Sequence, residues 1–397
     1  MRNYLVVLFL GYLSLGIAIP AMSLIIVSKG FSLALLGTAV LCFSTSVMVF
    51  EVPSGIFCDA RGRRLGFQMG LLFNLVGSLL LFTQSLALIL LGFACNGVGR
   101  AFTSGSLDAL FIENHLKAGR PLEEVMLAME VISAVALALG SIVGGFLLTL
   151  GKSGPHLADT LLFCRILLLF LCMVLVSVLI PKDQFQRKEE HPSFLNKAKL
   201  LFQSLQGNRF VQVYMLFSLL QGFQLASLES YWQPYLKLLL SSDGKLWVLG
   251  LVGGSVFAIS IVGSLLGKVL MQKVRPSAIF LTVITFSLLL ELVLAITRTP
   301  ILFVAVYLAI YLALGCVSVV GGYLLNLSLE AQVRSSVLSL SSFALQGGGL
   351  FSSLLAIVVL THVSIPMFWL VVSLLGLTLL VVLKRRFLQA APGACLQ

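Results

Sequence analysis

Seven ionisable residues stand inside otherwise apolar runs of this chain: Glu51, Arg100, Asp108, Glu130, Arg165, Glu229 and Glu291. Charge held away from water is costly, so each such group is a candidate for work: carrying a proton, pairing with an opposite charge, or meeting a charged solute. Glu130, Glu229 and Glu51, in that order, are the candidate proton carriers, with Arg100 the basic candidate for the same coupling. A carrier must exchange its proton with two solvents in turn. Arg100 sits near the middle of its apolar run, whereas Glu130 is about one and a half turns into the next one. A direct pair between them needs tilted helices or stretched side chains.

Glu229 has a different company: Gln221, Gln224, Trp232, Gln233 and Tyr235, with Gly222 and Pro234 able to interrupt a helix between them. Aromatic, amide and carboxylate groups together suit an amphipathic or cationic organic substrate, through stacking and cation–π contact. An interfacial belt of Trp and Tyr explains the same residues. Both readings stay open at this point.

The segment Gly55-Ile56-Phe57-Cys58-Asp59-Ala60-Arg61-Gly62-Arg63-Arg64 separates two apolar runs. A tight turn between helices needs a glycine, which Gly62 supplies, and Gly55 leaves room for a second helix to approach. Asp59 is placed to accept hydrogen bonds at a helix N-terminus. This segment resembles the G-x-x-x-D-x-x-G-R-R/K loop of the major facilitator superfamily. Glu51-Val52-Pro53-Ser54-Gly55, Phe102 to Leu110 and Tyr231-Trp232-Gln233-Pro234 are similar to segments of its drug-efflux-like, drug:proton antiporter branch. The resemblance implies an all-α membrane fold of twelve transmembrane helices, in two six-helix halves related by a pseudo-two-fold axis. It further implies that Asp108 and Glu113 pair with loop arginines, Arg63 among them, in a conformational gate comprising Gly55, Asp59, Arg61, Gly62, Arg63 and Arg64. An acid snorkelling at the interface is the other reading of Asp108.

Three positions depart from the family pattern. Ala60 stands where a basic residue is frequent, Phe93 where the fourth span carries an arginine, and Ser141 where the fifth-span antiporter signature has proline. A weaker second copy of the loop, Gly267 to Arg275, has Met271 in the place of Asp59. Gly140, Gly144 and Gly145 of the fifth span match Gly250, Gly253 and Gly254 of the eighth, and the resemblance implies that these spans meet in a seam of small residues. Gly55 and Gly347 to Gly349 would serve a second seam. Arg165 and Glu291 fall on spans that are outer supports in such a fold, where snorkelling or structural pairing is expected.

The elements that must position these groups are set by composition. Hydrophobic residues make up 59% and charged residues 10%, where a soluble domain has about a quarter charged. A span needs about 20 mostly apolar residues. Spans are predicted at 4–27, 32–54, 66–84, 87–111, 125–150, 158–181, 210–238, 246–270, 278–296, 301–326, 336–361 and 366–383. The first run is longer than a signal-peptide core and is expected to stay as a span. A polar stretch at 182–208 divides an N-terminal half, 1–181, from a C-terminal half, 209–383, with a tail at 384–397. With the N-terminus inside, 19 Lys and Arg lie on the inner side and 5 on the outer. The positive-inside rule therefore puts both termini and the linker in the cytoplasm, as in a bacterial cell inner membrane.

The net charge of +11 lies between the spans without a basic stripe, which argues against nucleic acid. His115, His156, His191 and His362 have no metal-ligand spacing, and the seven cysteines form neither a metal nor a disulfide pattern. No phosphate-binding glycine loop is present. Neither enzyme activity nor any cofactor or metal is expected. The sequence predicts a monomeric secondary transporter in a lipid bilayer, exporting small amphipathic compounds by proton antiport, a multidrug-resistance type of activity. Proton-coupled uptake of a small metabolite is the rival.

Overall fold

A computed structural model describes residues 2–104, 106–117, 119, 121–151, 153–181, 208–241, 245–329 and 334–390. The predicted linker, apart from Asn208, and the tail beyond Ala390 lie outside them. Among the described residues the regular structure is helical throughout. The N-terminal half contains α1 (Arg2–Ala18), α2 (Met22–Ser28), α3 (Leu33–Arg61), α4 (Arg63–Leu80), α5 (Leu86–Thr103), α6 (Ser106–Lys117), α7 (Leu122–Thr149) and α8 (Asp159–Leu179). The C-terminal half contains α9 (Arg209–Leu240), α10 (Trp247–Leu270), α11 (Pro276–Ile296), α12 (Pro300–Leu327), α13 (Arg334–Val359) and α14 (Ile365–Ala390).

Each predicted span is occupied by helix. Eleven described segments are long and apolar enough to cross a bilayer. The third predicted span, α4, is outside that set because its 18 residues include Arg63, Arg64, Gln68 and Asn74. Helix α14 continues through Lys384 to Arg386, residues the sequence assigns to the tail. Outward-facing Phe163, Leu167, Phe170, Val174 and Val178 of α8 are all exposed. A face of that kind needs lipid to cover it.

Two predicted spans are interrupted. The first breaks between α1 and α2, where Pro20 has no N–H to donate and blocks the helical turn before it. The freed Ile19 carbonyl accepts a hydrogen bond from Gln233 Nε2 at 3.0 Å. The fourth breaks at Ser104, whose φ of −59° and ψ of 120° leave the helical region, so α5 and α6 are separate helices.

The turn from α3 to α4 is one residue long. Gly62 adopts φ 99° and ψ 143°, a conformation essentially confined to glycine. Its N–H bonds Cys58 O at 2.9 Å, closing α3, and its carbonyl accepts from Gly66 N at 3.1 Å, opening α4. Arg64 then reaches across to the Ser177 carbonyl at 2.8 Å and Gln68 to Ser177 Oγ at 2.8 Å. Those contacts satisfy the C-terminal turn of α8, where carbonyls lack helical partners and a cation complements the dipole. Near the opposite ends, Lys29 Nζ bonds Phe82 O and Thr83 O at 3.3 and 2.8 Å. Burial holds its ammonium below the usual lysine range, opposed by the nearby charge of Asp159.

Two compact units emerge from the packing: Met1–Arg187 with Trp232–Phe257, and Lys188–Tyr231 with Ala258–Gln397. In the first, α1 lies on α7, α4 on α5 and α8, and α3 on α5. Its core joins Tyr4, Leu8, Phe67, Phe111, Leu169 and Val176. In the second, α11 lies on α12 and α14. There Phe387 packs against Phe210, Phe217 and Phe280, with ring centroids 5.5, 5.0 and 5.1 Å away.

Candidate functional site

The break at Ser104 organises the charges around it. Arg100 lies in the last turn of α5 and Asp108 in the first turn of α6. A cation is thus set at the negative end of one helix dipole and an anion at the positive end of the next, the favourable placement at each. Tyr12 of α1 donates its hydroxyl to Asp108, at 3.2 Å from Oδ2 and 3.4 Å from Oδ1. Arg100, Asp108 and Tyr12 line one cavity of about 220 Å³, walled by Leu8, Phe67, Leu71 and Asn74. A discontinuous helix with both half-helix ends facing a cavity is the arrangement by which transporters hold ions.

A second cavity of about 150 Å³ adjoins the loop segment. Its lining includes Glu51, Gly55, Asp59 and Arg63, together with Ala101 and Ser106 from either side of the break. Ser104 lines both cavities. Ser54 fixes α3 to this region by donating to Ala101 O at 3.0 Å. The structure therefore brings Glu51, Asp59 and Arg63 together, and sets them beside Arg100 and Asp108 through one shared residue. Hydropathy put the fourth span at 87–111 as a continuous helix. The non-helical Ser104 inside it is what sequence periodicity missed.

Other sequence candidates are placed differently. Glu130 is exposed on α7 and Glu229 on α9, where Tyr311 donates its hydroxyl to Glu229 Oε1 at 3.5 Å. Trp232, Gln233 and Tyr235 are buried in the first unit, and Gln224 is buried in the second. Gln221 is half-buried. The Glu113 side chain and Gly105 lie outside the described residues. A Cβ on Gly55 would meet nothing within 4 Å. The fifth-span glycines divide. Gly140 and Gly144 face α1, against Leu13 O and Ile17 O, rather than the eighth span. Gly145 faces α10, where an added Cβ would come 2.5 Å from Gly250 Cα, and Gly254 faces Ala138 O and Ile142. Gly348 abuts Leu219 of α9, and Gly347 has open space. G-x-x-x-G spacing announces close packing without naming the partner.

Arg165 and Glu291 overturn the snorkelling expectation. They are 2% and 0% exposed, and among the described residues neither pairs with an opposite charge. Arg165 Nη2 donates to Asn96 Oδ1 at 2.9 Å and to Asn74 Oδ1 at 3.4 Å, leaving Nε and Nη1 without acceptors. Glu291 Oε1 lies 2.8 Å from Ser227 Oγ, with Oε2 unpartnered. Sequence names the span a charge sits on. It does not name the face.

Comparison with known proteins fits this architecture. A family model described as Major Facilitator Superfamily matches residues 4–276. The uncharacterized MFS-type transporter YxaM of Bacillus subtilis (strain 168) is 26% identical over 249 residues, 61% of this chain and 60% of the relative's length. The nucleoside transporter NupG superposes with a TM-score of 0.81 at 13% identity, covering 97% of this chain and 98% of that one. A bacterial homolog of the human lysosomal transporter Spinster gives 0.77 at 12% identity, over 98% and 97%. The structural matches show the fold. With the family match covering more than half of the sequence, this chain belongs to the Major Facilitator Superfamily and is a multi-pass membrane protein.

Proposed function

We propose that this transporter exports small amphipathic organic compounds, drugs among them, by proton antiport and alternating access. It works as a monomer in a plasma membrane, the bacterial inner membrane, with both termini cytoplasmic. The observation that carries the coupling is the Tyr12–Arg100–Asp108 cavity at the break of the fourth span. Its volume of about 220 Å³ is below the roughly 300–1,000 Å³ of a drug-sized ligand site, so it suits water and a proton rather than cargo. Asp108 therefore takes precedence over Glu130, Glu229 and Glu51 as the carrier. Tyr12 donates a hydrogen bond to the Asp108 carboxyl, and a change in its protonation alters that contact with α1. Because Ser104 also borders the cavity of Asp59 and Arg63, the change reaches the cytoplasmic gate.

Export rather than uptake rests on the Glu51-to-Gly55, Phe102-to-Leu110 and Tyr231-to-Pro234 segments. The fold shared with a nucleoside transporter supports the rival, proton-coupled uptake, with a nucleoside as the first solute to try. Purified protein in liposomes, under an imposed pH gradient, tests both with ethidium in one arm and uridine in the other. Antiport predicts uphill ethidium movement with counter-flowing protons. Asp108→Asn should lose the gradient-driven movement while keeping downhill exchange. Uridine accumulating along with protons would replace export by uptake, and flux indifferent to the gradient would overturn proton coupling altogether.

A further inference from the structure

Among the described residues Glu291 is the one acid enclosed by the chain, and the Asp108 reading makes no use of it. It lies on α11 within a cage of neutral polar groups: Ser227 and Gln224 from α9 and Ser373 from α14. Trp369 of α14 fixes the α9 side by donating Nε1–H to the Ser227 carbonyl at 3.1 Å. Titratable groups that the packed helices bring to this part of the core include Tyr231 of α9, against Phe368 of α14, Tyr307 and Tyr311 of α12, and the exposed Glu229 of α9, which Tyr311 bonds. Among the described residues no lysine, arginine or histidine faces the carboxyl, so none of them offsets a negative charge there.

Hydrogen counting gives the cage its sense. Ser227 Oγ lies 2.7 Å from Gln224 O and 2.8 Å from Glu291 Oε1. A hydroxyl has one hydrogen. A backbone carbonyl only accepts, so if Ser227 donates to Gln224 O, the hydrogen in the second contact comes from the carboxyl. Ser373 Oγ, Gln224 Nε2 and Glu291 Oε2, all buried, are without partners, so two further donors stand ready in the cage. The Ser227 contact is thus one hydrogen short when the acid is ionised and complete when it is not.

We propose that Glu291 is a proton-binding site of the C-terminal half, holding one proton that its carboxyl donates to Ser227 Oγ. On release, the O–H bond at Oε1 breaks and the proton leaves to water. The Ser227 hydrogen then turns from the Gln224 carbonyl to the carboxylate, removing a side-chain bond from the middle of α9. That such a step would serve transport rests on the proton-coupled reading above; the binding itself does not.

Infrared difference spectroscopy of the full chain in lipid, titrated from acid to alkaline pH, needs no cargo. The expected result is a protonated-carboxyl stretch, slow to exchange in heavy water, that bleaches on alkalinisation and is absent from Glu291→Gln. In Ser227→Ala the band should persist but move to higher frequency, because its donated hydrogen bond is gone; this variant keeps the test alive if Glu291→Gln fails to fold. Asp108→Asn should leave the band in place, so failed antiport and a failed Glu291 site are distinguishable. An unchanged band in Glu291→Gln would overturn the proposal. Bleaching at constant pH when sodium replaces potassium would also overturn it, by making the occupant a metal cation.

Discussion

The two halves of the chain bury charge in opposite ways. In the N-terminal half it is a cation, Arg165 on the sixth predicted span, facing amides on the third and fourth. In the C-terminal half it is an acid, Glu291 on the ninth, facing hydroxyls and an amide on the seventh and twelfth. The third and ninth spans, and the sixth and twelfth, hold the same places in their halves. The difference is one of reversibility. A guanidinium keeps its charge throughout the biological pH range and must be solvated by fixed dipoles; a carboxyl can exchange charge for a proton. The Arg165 dipoles are visibly fixed: Asn74 Nδ2 bonds Gly70 O at 2.9 Å and Asn96 Nδ2 bonds Gly92 O at 2.8 Å, aiming both amide oxygens. Gly99 and Gly77 make room for them, since a Cβ on either would strike the Asn74 or Asn96 amide. One half thus carries a permanent charge in a built cradle, the other a group able to switch.

The largest effect should come from emptying the cradle. Arg165→Ala removes a wholly buried side chain and leaves two aimed oxygens unpartnered, which should cost about 3–5 kcal/mol. Arg165→Met fills most of the same space and removes the unpartnered Nε and Nη1, but it leaves the same two oxygens without a donor, so it should cost less than Ala, about 1–3 kcal/mol. Thermal unfolding of the purified variants in detergent separates the two. If Met stays folded but transport fails, the permanent charge acts in transport, and the contrast with Glu291 becomes functional. If Ala matches the wild type, the cradle is not stabilising and the comparison loses its energetic basis.

Helix pairs at corresponding places supply the next test. A Cβ on Gly140 would come 2.5 Å from Leu13 O, pushing α7 from α1, and one on Gly348 would come 2.6 Å from Phe223 N, pushing α13 from α9. Backbone cannot yield as a side-chain tip can. Gly140→Val and Gly348→Val should each lower stability by about 1–3 kcal/mol, with matching losses of the monodisperse fraction in size-exclusion profiles. Tolerance of one and not the other would show that the two halves do not use their glycines alike.

Much of this architecture was legible before any coordinates. Apolar runs of sufficient length must be helices in lipid, because no other open structure satisfies its own backbone there. Gly62 was readable because a one-residue turn requires a positive φ. What escaped were features that hydropathy averages away. Ser104 and Gly105 sit in an apolar window that scores as one span, although the backbone angles of Ser104 end α5 between Arg100 and Asp108. Arg165 and Glu291 were assigned to spans correctly and to surroundings wrongly, since a charge in the linear sequence carries no mark of which neighbour it faces. Gly140, Gly144 and Gly145 read as one set but serve two different helices, because a 3.6-residue period rotates adjacent residues to different faces.

The smallest effect belongs to the turns that join the second span to the third and the eighth to the ninth. In the first half Gly62 carries φ 99° and ψ 143° between two helices with no other linking residue. In the second half the connection spans Met271 to Arg275. There Gln272 N bonds Val269 O and Lys273 N bonds Leu270 O at 3.2 and 3.0 Å, Arg275 has φ −56°, and Pro276 opens α11 with its φ already set. No described residue of that turn has positive φ. Gly62→Ala should therefore cost about 1–3 kcal/mol in melting experiments, the range for a side chain forced into a glycine-only conformation. Lys273→Ala should stay within about 0.5 kcal/mol. Equal, small effects at both sites would mean that the chain can lengthen the first turn by unwinding the end of α3, and that the glycine is retained there for motion rather than for rest.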